Sequence, residues 1–240
     1  GDVTITTNET LESPAVDLSA LSTLSGAGTL RTSGVVYASG ATLEPNILEL
    51  ADAGGNTVPA IYNGNLTLIT SSNAGSTVTP TLASSYNLLD FKLQCDGAYD
   101  LIVDCVNPGM GTLTIRGDWT VVESGEGRVR WIDGSETVAL AGSSDQNITA
   151  TLSVRGENIV HSISNTNTSG NVAFSELVRV GTYSEASSAT TIGTAYLRLE
   201  DVDRNVEDNR VKLTPTYYIV YSMGGATMTE TAEALEFHGK

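Results

Sequence analysis

Positive charge is what this chain has least of. Twelve basic residues face 28 acidic ones, giving a formal charge of −16, and Lys92, Lys212 and Lys240 are its three lysines. Nucleic acid is bound by clustered Lys and Arg that displace counterions. Here the basic residues are scattered, with nothing denser than the pairs Arg128/Arg130 and Arg210/Lys212, which argues against a phosphate-binding surface. Histidine is scarcer still, with His161 inside the strand-like NIVHSIS and His238 near the end. A nucleophilic triad needs an available imidazole. No Gly-x-Ser-x-Gly elbow frames a serine, and neither cysteine has a histidine near it in sequence. The chain therefore reads as non-enzymatic. A glycosidase pair depends on a spatial separation of about 5–10 Å that sequence does not display, and scattered arginines disfavour a lyase of acidic sugars.

No apolar run reaches the roughly 18 residues of a membrane-spanning helix, which excludes membrane insertion by a helix, and a start at Gly1 without methionine reads as a processed, exported chain. Cysteine is limited to Cys95 and Cys105, bracketing CDGAYDLIVDC. A turn at Asp96-Gly97 would set two strands side by side and allow a disulfide in an oxidising compartment. A reduced pair is equally ordinary for two cysteines.

What the chain does have is alternation. DVTITT, NLTLIT, GTLTIRGDWTVV, GRVRWID, ETVALA, TLSVRG, LVRVGTY, AYLRLEDV and PTYYIVYSM run with period two and are rich in Thr, Val, Ile and Tyr, separated by Gly, Ser, Asn and Asp; these predict strands. Helical spacing is confined to residues 15–24, AVDLSALSTL, and 230–237, ETAEALEF, where acids lead good helix formers. The chain is predicted to be all-β.

A slower cadence lies over the alternation. Similar strand starts recur at Leu30, Ile47, Leu66, Leu88, Leu113, Leu152, Leu177 and Leu197, with Val138 dividing the widest gap. Most intervals fall near the roughly 20–29 residues of solenoid repeats. In GTLTIRGDWTVV, Leu113 and Ile115 would face inward and Thr112, Thr114 and Arg116 outward. The spacing favours an irregular parallel β-helix or β-solenoid. The alternative is an antiparallel, jelly-roll-like β-sandwich, because turn signals also recur every 8 to about 12 residues. The repetitive body would span 1–200, with the more aromatic 201–240 as a cap or subunit-docking segment; there Tyr217, Tyr218 and Tyr221 form a candidate interface.

The stretch Gly111 to Ile115, Gly117 to Thr120, Thr137-Val138, then Gly142, Gln146 and Ile148 resembles the repeat cadence of large secreted or surface-exposed bacterial β-solenoid, adhesin-like proteins. SSYNLLDFKL before it and AFSELVRV after it are similar to the same family's strands, so the resemblance covers about 85–180; Leu140-Ala141 departs from the usual aromatic and polar pair. The resemblance implies a parallel solenoid whose role is display and adhesion rather than chemistry.

Few residues group as sites. Asp201, Asp203 and Asn205 have the alternate spacing by which side-chain oxygens converge on Ca²⁺, with Glu207 and Asp208 near enough to complete a cage. Val206 replaces the turn glycine of an EF-hand and Lys212 its bidentate Glu, so this is either a non-EF Ca²⁺ site or a solvated acidic turn. No other cofactor is expected. Arg116-Gly117-Asp118 matches an adhesion tripeptide, but its place between two strand runs reads as turn chemistry. Asn8, Asn65, Asn147 and Asn167 head Asn-x-Ser/Thr sequons of the kind a Thr/Ser-rich chain produces by coincidence.

These features predict a non-enzymatic structural or display protein, extracellular, on a cell surface or virion, self-associating and able to touch a glycan. One alternative is a pilus-like filament subunit polymerised by exchange of GDVTITTNETL, with Val3 and Ile5 as the inserting residues. Another is a carbohydrate-binding module built on Trp119 and Trp131, for which 6% aromatics supply little stacking surface.

Overall fold

The computed structural model describes residues 1–19, 23–37, 40–54, 58–82, 84–105, 110–132, 134–149, 160–174, 178–185, 190–193, 197–200, 214–215, 218–221 and 235–238. The first turn of the coil holds β1 (Val3–Thr4), β2 (Thr10–Ser13) and β3 (Val16–Leu18). Then come β4 (Thr23–Thr32) and β5 (Val35–Tyr37), β6 (Thr42–Ala51), and β7 (Asn65–Thr70) with β8 (Tyr86–Leu88). Two three-stranded turns follow: β9 (Phe91–Cys95), β10 (Leu101–Asp104) and β11 (Thr112–Ile115), then β12 (Trp119–Glu123), β13 (Val129–Ile132) and β14 (Thr137–Leu140). Next are β15 (Gln146–Thr149) with β16 (Val160–Asn165), β17 (Asn171–Phe174) with β18 (Val178–Glu185), and β19 (Thr190–Gly193) with β20 (Leu197–Glu200). The last strands are β21 (Thr214–Pro215), β22 (Tyr218–Tyr221) and β23 (Leu235–His238).

These strands stack into a parallel β-helix. Face one is an 11-stranded sheet ordered β1-β4-β6-β7-β9-β12-β15-β17-β19-β21, with β2 also on β4; face three is the 8-stranded sheet from β8 to β23. Face two is the β10–β13 pair, and β3 pairs with β5 at the first turns. Every named strand pairing is parallel, which excludes the antiparallel sandwich. The described residues of the segments expected to be helical at 15–24 and 230–237 include strands instead, Val16–Leu18, the start of β4 at Thr23 and Leu235–His238. Short apolar-polar runs satisfy either period, and the neighbouring rung's backbone groups select the strand.

The core is a set of columns, because parallel register places each residue over its counterpart. Leu11, Leu30, Leu48, Leu66, Phe91, Trp119, Ile148 and Phe174 follow one another in register along face one. Leu30 to Phe174 in this column are all buried. On face three Tyr86, Leu113, Val138 and Ile163 form a second buried column. Phe91 and Trp119 lie 6.4 Å apart by ring centroids, and Trp119 and Trp131 lie 5.7 Å apart, so aromatic stacking joins faces one and two. Burying each large side chain contributes roughly 1.5–3 kcal/mol. As the alternation predicts, Leu113 and Ile115 point inward while Arg116 is exposed.

The cadence read from sequence mixes two faces. Leu66 belongs to face one, but Leu88 and Leu113 belong to face three, where Leu113 pairs with Tyr86 and Leu88 with Ile115. The interval survives because one turn of the coil has a similar length whichever face it is measured on. One glycine is required by the winding: Gly26, at φ 122°, lies where the β4–β6 register shifts, and a Cβ there would meet the Ile5 carbonyl oxygen at 2.2 Å.

In-register parallel pairing can be tested directly. Thr114 and Ala139 are partners on adjacent strands, both half-buried. Strand spacing of about 4.8 Å suits a disulfide, so the double variant Thr114→Cys/Ala139→Cys should oxidise to an intramolecular bridge detected by non-reducing peptide mapping, whereas Thr114→Cys/Leu140→Cys, one residue out of register, should not.

Candidate functional site

The most developed polar structure lies where the chain leaves face three and enters face one. β11 ends at Ile115 and β12 begins at Trp119, so the corner is Arg116-Gly117-Asp118 itself. The Asp118 N–H donates to Asp90 Oδ1 at 2.8 Å, and Asp118 Oδ1 accepts from the Asn147 N–H at 2.8 Å. One turn further, Asp145 Oδ1 accepts from the Asn171 N–H at 2.8 Å. Each carboxylate thus binds the backbone of the next rung, a charge-assisted bond stronger than a neutral one.

The other two letters are equally committed. Gly117 donates to the Leu89 carbonyl at 2.7 Å, and a Cβ at Gly117 would lie 1.9 Å from Asp90 Oδ1, so a larger residue there has to displace the carboxylate that holds the Asp118 N–H. Arg116 Nη2 reaches the Asn63 carbonyl at 2.8 Å and its Nε the Leu88 carbonyl at 3.3 Å. An adhesion tripeptide has to present Arg and Asp on a mobile tip. Here the backbone is clamped between rungs and both charged side chains are engaged by neighbouring coils.

Behind this corner runs a buried amide network. Gln146 Oε1 accepts from the Gly142 N–H at 2.9 Å and from Asn167 Nδ2 at 3.0 Å, and its Nε2 donates to the carbonyls of Ile115 (3.1 Å) and Gly117 (2.6 Å). Asn167 Oδ1 accepts from Ser169 and Gly170, and Asn167 Nδ2 also donates to Ser144. Both amides are fully buried, as is Asn165, whose Oδ1 accepts from the Asn167 N–H. Burial removes Asn167 from reach as a glycan acceptor. The Gly-x-x-x-Gln-x-Ile spacing noted in sequence has a physical reason here: Gly142 supplies the N–H that Gln146 binds, and Ile148 fills the core column.

A second buried group is the carboxylate of Glu136, at the corner before β14. Its Oε1 accepts from Trp131 Nε1 at 2.9 Å and from the His161 N–H at 2.8 Å, and its Oε2 from the Gly134 N–H at 2.6 Å. Three N–H donors satisfy it, so its burial is consistent with the rule that buried charges are hydrogen-bonded. Sequence inspection did not single out Glu136, Asp90 or Asp145. Asp90-Phe91, Asp118-Trp119 and Asn147-Ile148 share an Asx immediately before a core residue of face one, and that recurring dipeptide is the signal that could have found the ladder.

The other sequence-predicted residues are dispersed. Asp201, Asp203, Asn205, Glu207, Asp208 and Tyr217 lie outside the described residues. Among the described residues no group of three or more His, Cys, Asp or Glu is placed to hold a metal. Tyr218 and Tyr221 are the first and last residues of β22, between β20 and β23. Val3 pairs with Leu24, and Ile5 is buried with its N–H on the Ser25 carbonyl at 2.9 Å, so the candidate exchange segment lies in its own chain's first turn. Trp119 and Trp131 are both buried and offer no sugar-stacking face.

The disulfide that the Asp96-Gly97 turn allowed is not made: Cys95 and Cys105 are buried thiols. Cys95 Sγ sits 3.1 Å from the Tyr99 carbonyl, before β10, and Cys105 follows the end of β10. Four strand residues at about 3.3 Å each separate them, beyond the roughly 7 Å limit between bridged Cα atoms. Burial pushes the Cys95 thiol above its ordinary pKa. It does the same more strongly to the Tyr62 phenol, whose hydroxyl contacts the Pro45, Asn46 and Asn65 carbonyls.

No family model, curated protein or solved structure matches this chain. The likeness to surface-exposed repeat proteins therefore rests on the residues of 85–180 themselves.

The corner ladder makes a sharp prediction. Asp118→Ala removes the acceptor for the Asn147 N–H and should cost about 1–3 kcal/mol in urea unfolding, whereas Asp118→Asn keeps an Oδ1 acceptor and should cost distinctly less. Equal losses for the two variants would show that the ladder bond carries no stability.

Proposed function

We propose that this chain is a non-enzymatic structural or display body, extracellular, in a cell-surface or virion assembly. The observation that carries the reading is where the polar chemistry goes. Asp90, Asp118, Asp145, Glu136, Gln146 and Asn167 direct their side-chain oxygens at backbone N–H groups of the corners and adjoining rungs. Groups that could serve a reaction serve as internal fasteners, and a body so fastened suits a role in which shape and persistence are the product. Parallel stacking also aligns small polar residues on an outer face, as Asn87, Thr114, Ala139 and Ser164 follow one another in register on face three, a hydrated surface that resists collapse onto its neighbours.

The reading predicts that the chain, isolated from its native source under gentle conditions, travels in a particle or surface layer. Fractionation followed by electron microscopy should find it in an ordered assembly. Recovery solely as a monomer that never co-purifies with one would overturn the reading.

A further inference from the structure

The Asn-x-Ser/Thr sequons at Asn8, Asn65, Asn147 and Asn167 receive different treatment from the fold. An N-linked sugar is carried on the asparagine Nδ2. Asn167 is fully buried and spends that atom on the Ser144 carbonyl at 2.7 Å and on Gln146 Oε1 at 3.0 Å. In Asn65 the Nδ2 donates to the Asn46 carbonyl at 3.0 Å, so it too is engaged between rungs. Asn8 is exposed in the first turn of the coil, where most side chains are exposed. Asn147 is exposed in the middle of the stack, with a paired rung on each side.

Its position on the corner ladder makes that exposure informative. Asp90 and Asp118 each bind an N–H one rung on, those of Asp118 and Asn147, at 2.8 Å. Asn147 comes next, but the following corner N–H, that of Asn171, is bound by Asp145 Oδ1 at 2.8 Å instead. The Asn147 backbone is therefore fixed while its carboxamide has no hydrogen bond among the described residues. Its register neighbour on the next rung is Ala173, whose single methyl leaves the space beside Asn147 open.

The third residue of the same sequon supplies an independent observation. Thr149 lies in register with Thr120, and its Oγ1 is buried without a partner among the described residues. A buried hydroxyl left unpaired is unfavourable, and valine would occupy a similar space without that penalty. The fold gives this hydroxyl no employment. The sequon gives it one, as the group that marks the asparagine for glycosylation.

We infer that Asn147 carries an N-linked oligosaccharide, added by an oligosaccharyltransferase as the chain is exported. Asn147 Nδ2 bonds to the anomeric carbon of a lipid-pyrophosphate-linked oligosaccharide while the glycosyl–phosphate bond breaks; the lipid pyrophosphate leaves with the bonding electrons, and the amide gives up one proton. Once the coil has folded, the sugar projects from the outer side of face one. The inference rests on the extracellular reading, because such transferases act on exported chains.

Glycopeptide mapping of the chain from its native source tests it. The intact peptide holding Asn147 should carry an oligosaccharide mass, and release by peptide N-glycosidase in heavy-oxygen water should leave a labelled aspartate there and none in the peptides holding Asn65 and Asn167. Thr149→Val leaves the asparagine in place; produced in a secreting eukaryotic cell, it should lose the sugar and keep the circular dichroism of the parent. An unmodified Asn147 in the native chain, occupancy of Asn65 or Asn167 equal to that of Asn147, or sugar retained in Thr149→Val overturns the inference. A chain found in an assembly with Asn147 bare contradicts this inference alone, and one bearing the sugar but recovered solely as a monomer contradicts the display reading alone.

Discussion

Everything in this molecule depends on parallel register. When each residue lies over its counterpart one turn away, a side chain is compatible only if it can stack on its own kind. Leucine on leucine on phenylalanine on tryptophan meets that condition along face one, and each layer excludes water from the layers on both sides. The same rule is unforgiving of polar groups turned inward. Asn165 follows the apolar Leu88, Ile115 and Leu140 in register, and it is accommodated because its Oδ1 and the neighbouring Asn167 and Gln146 amides answer backbone groups at the corner. The column carries a cost as well: the Trp119 indole N–H finds no acceptor among the described residues, an omission worth about 1–3 kcal/mol against the stacking it accompanies.

The corners solve a different problem. A strand ladder satisfies its own backbone, but the bends between faces leave N–H groups without ladder partners. Aspartates at 90, 118 and 145 each supply an acceptor to the rung above, so corner and strand are held by the same stacking operation. Acidity is then more than a surface property: part of the excess of carboxylates is structural, spent on N–H donors rather than on Lys or Arg. Among the described residues, four ion pairs, those of Arg31 with Glu12 and Glu49, Arg128 with Glu123 and Arg130 with Asp100, join charged groups on the outer faces. All involve half-exposed arginines, where such pairs contribute little to stability.

Much of this was legible in the sequence, for physical reasons. Alternation in GTLTIRGDWTVV gave the inward residues Leu113 and Ile115 correctly, because a half-buried strand must alternate. The interval of roughly one coil was visible, although Leu66 and Leu113 proved to lie on different faces, since spacing alone carries no information about which side of the coil a strand occupies. Short apolar runs such as VDLSAL looked helical because local propensity cannot register a neighbouring rung. The cysteines invited a bridge because a turn dipeptide lies between them, whereas the chain also fits a whole strand, β10, into that interval. Glu136 and Asn167 left no sequence trace as buried groups: each closes its own corner, at Gly134 and at Ser169-Gly170, and also reaches an adjoining turn, at His161 and at Ser144, and nothing in composition encodes that second contact.

The central claim is that side-chain carboxylates at the corners clamp successive rungs as firmly as the strand ladders do. Residue-resolved amide hydrogen exchange tests it most directly. The Asp118, Asn147 and Asn171 amides, bonded to carboxylate oxygens, should be protected to about the same degree as the Phe91 amide, which donates to the Asp118 carbonyl at 2.9 Å. Exchange of those three amides at the rate of exposed turns such as the one at Asn8 would contradict the account.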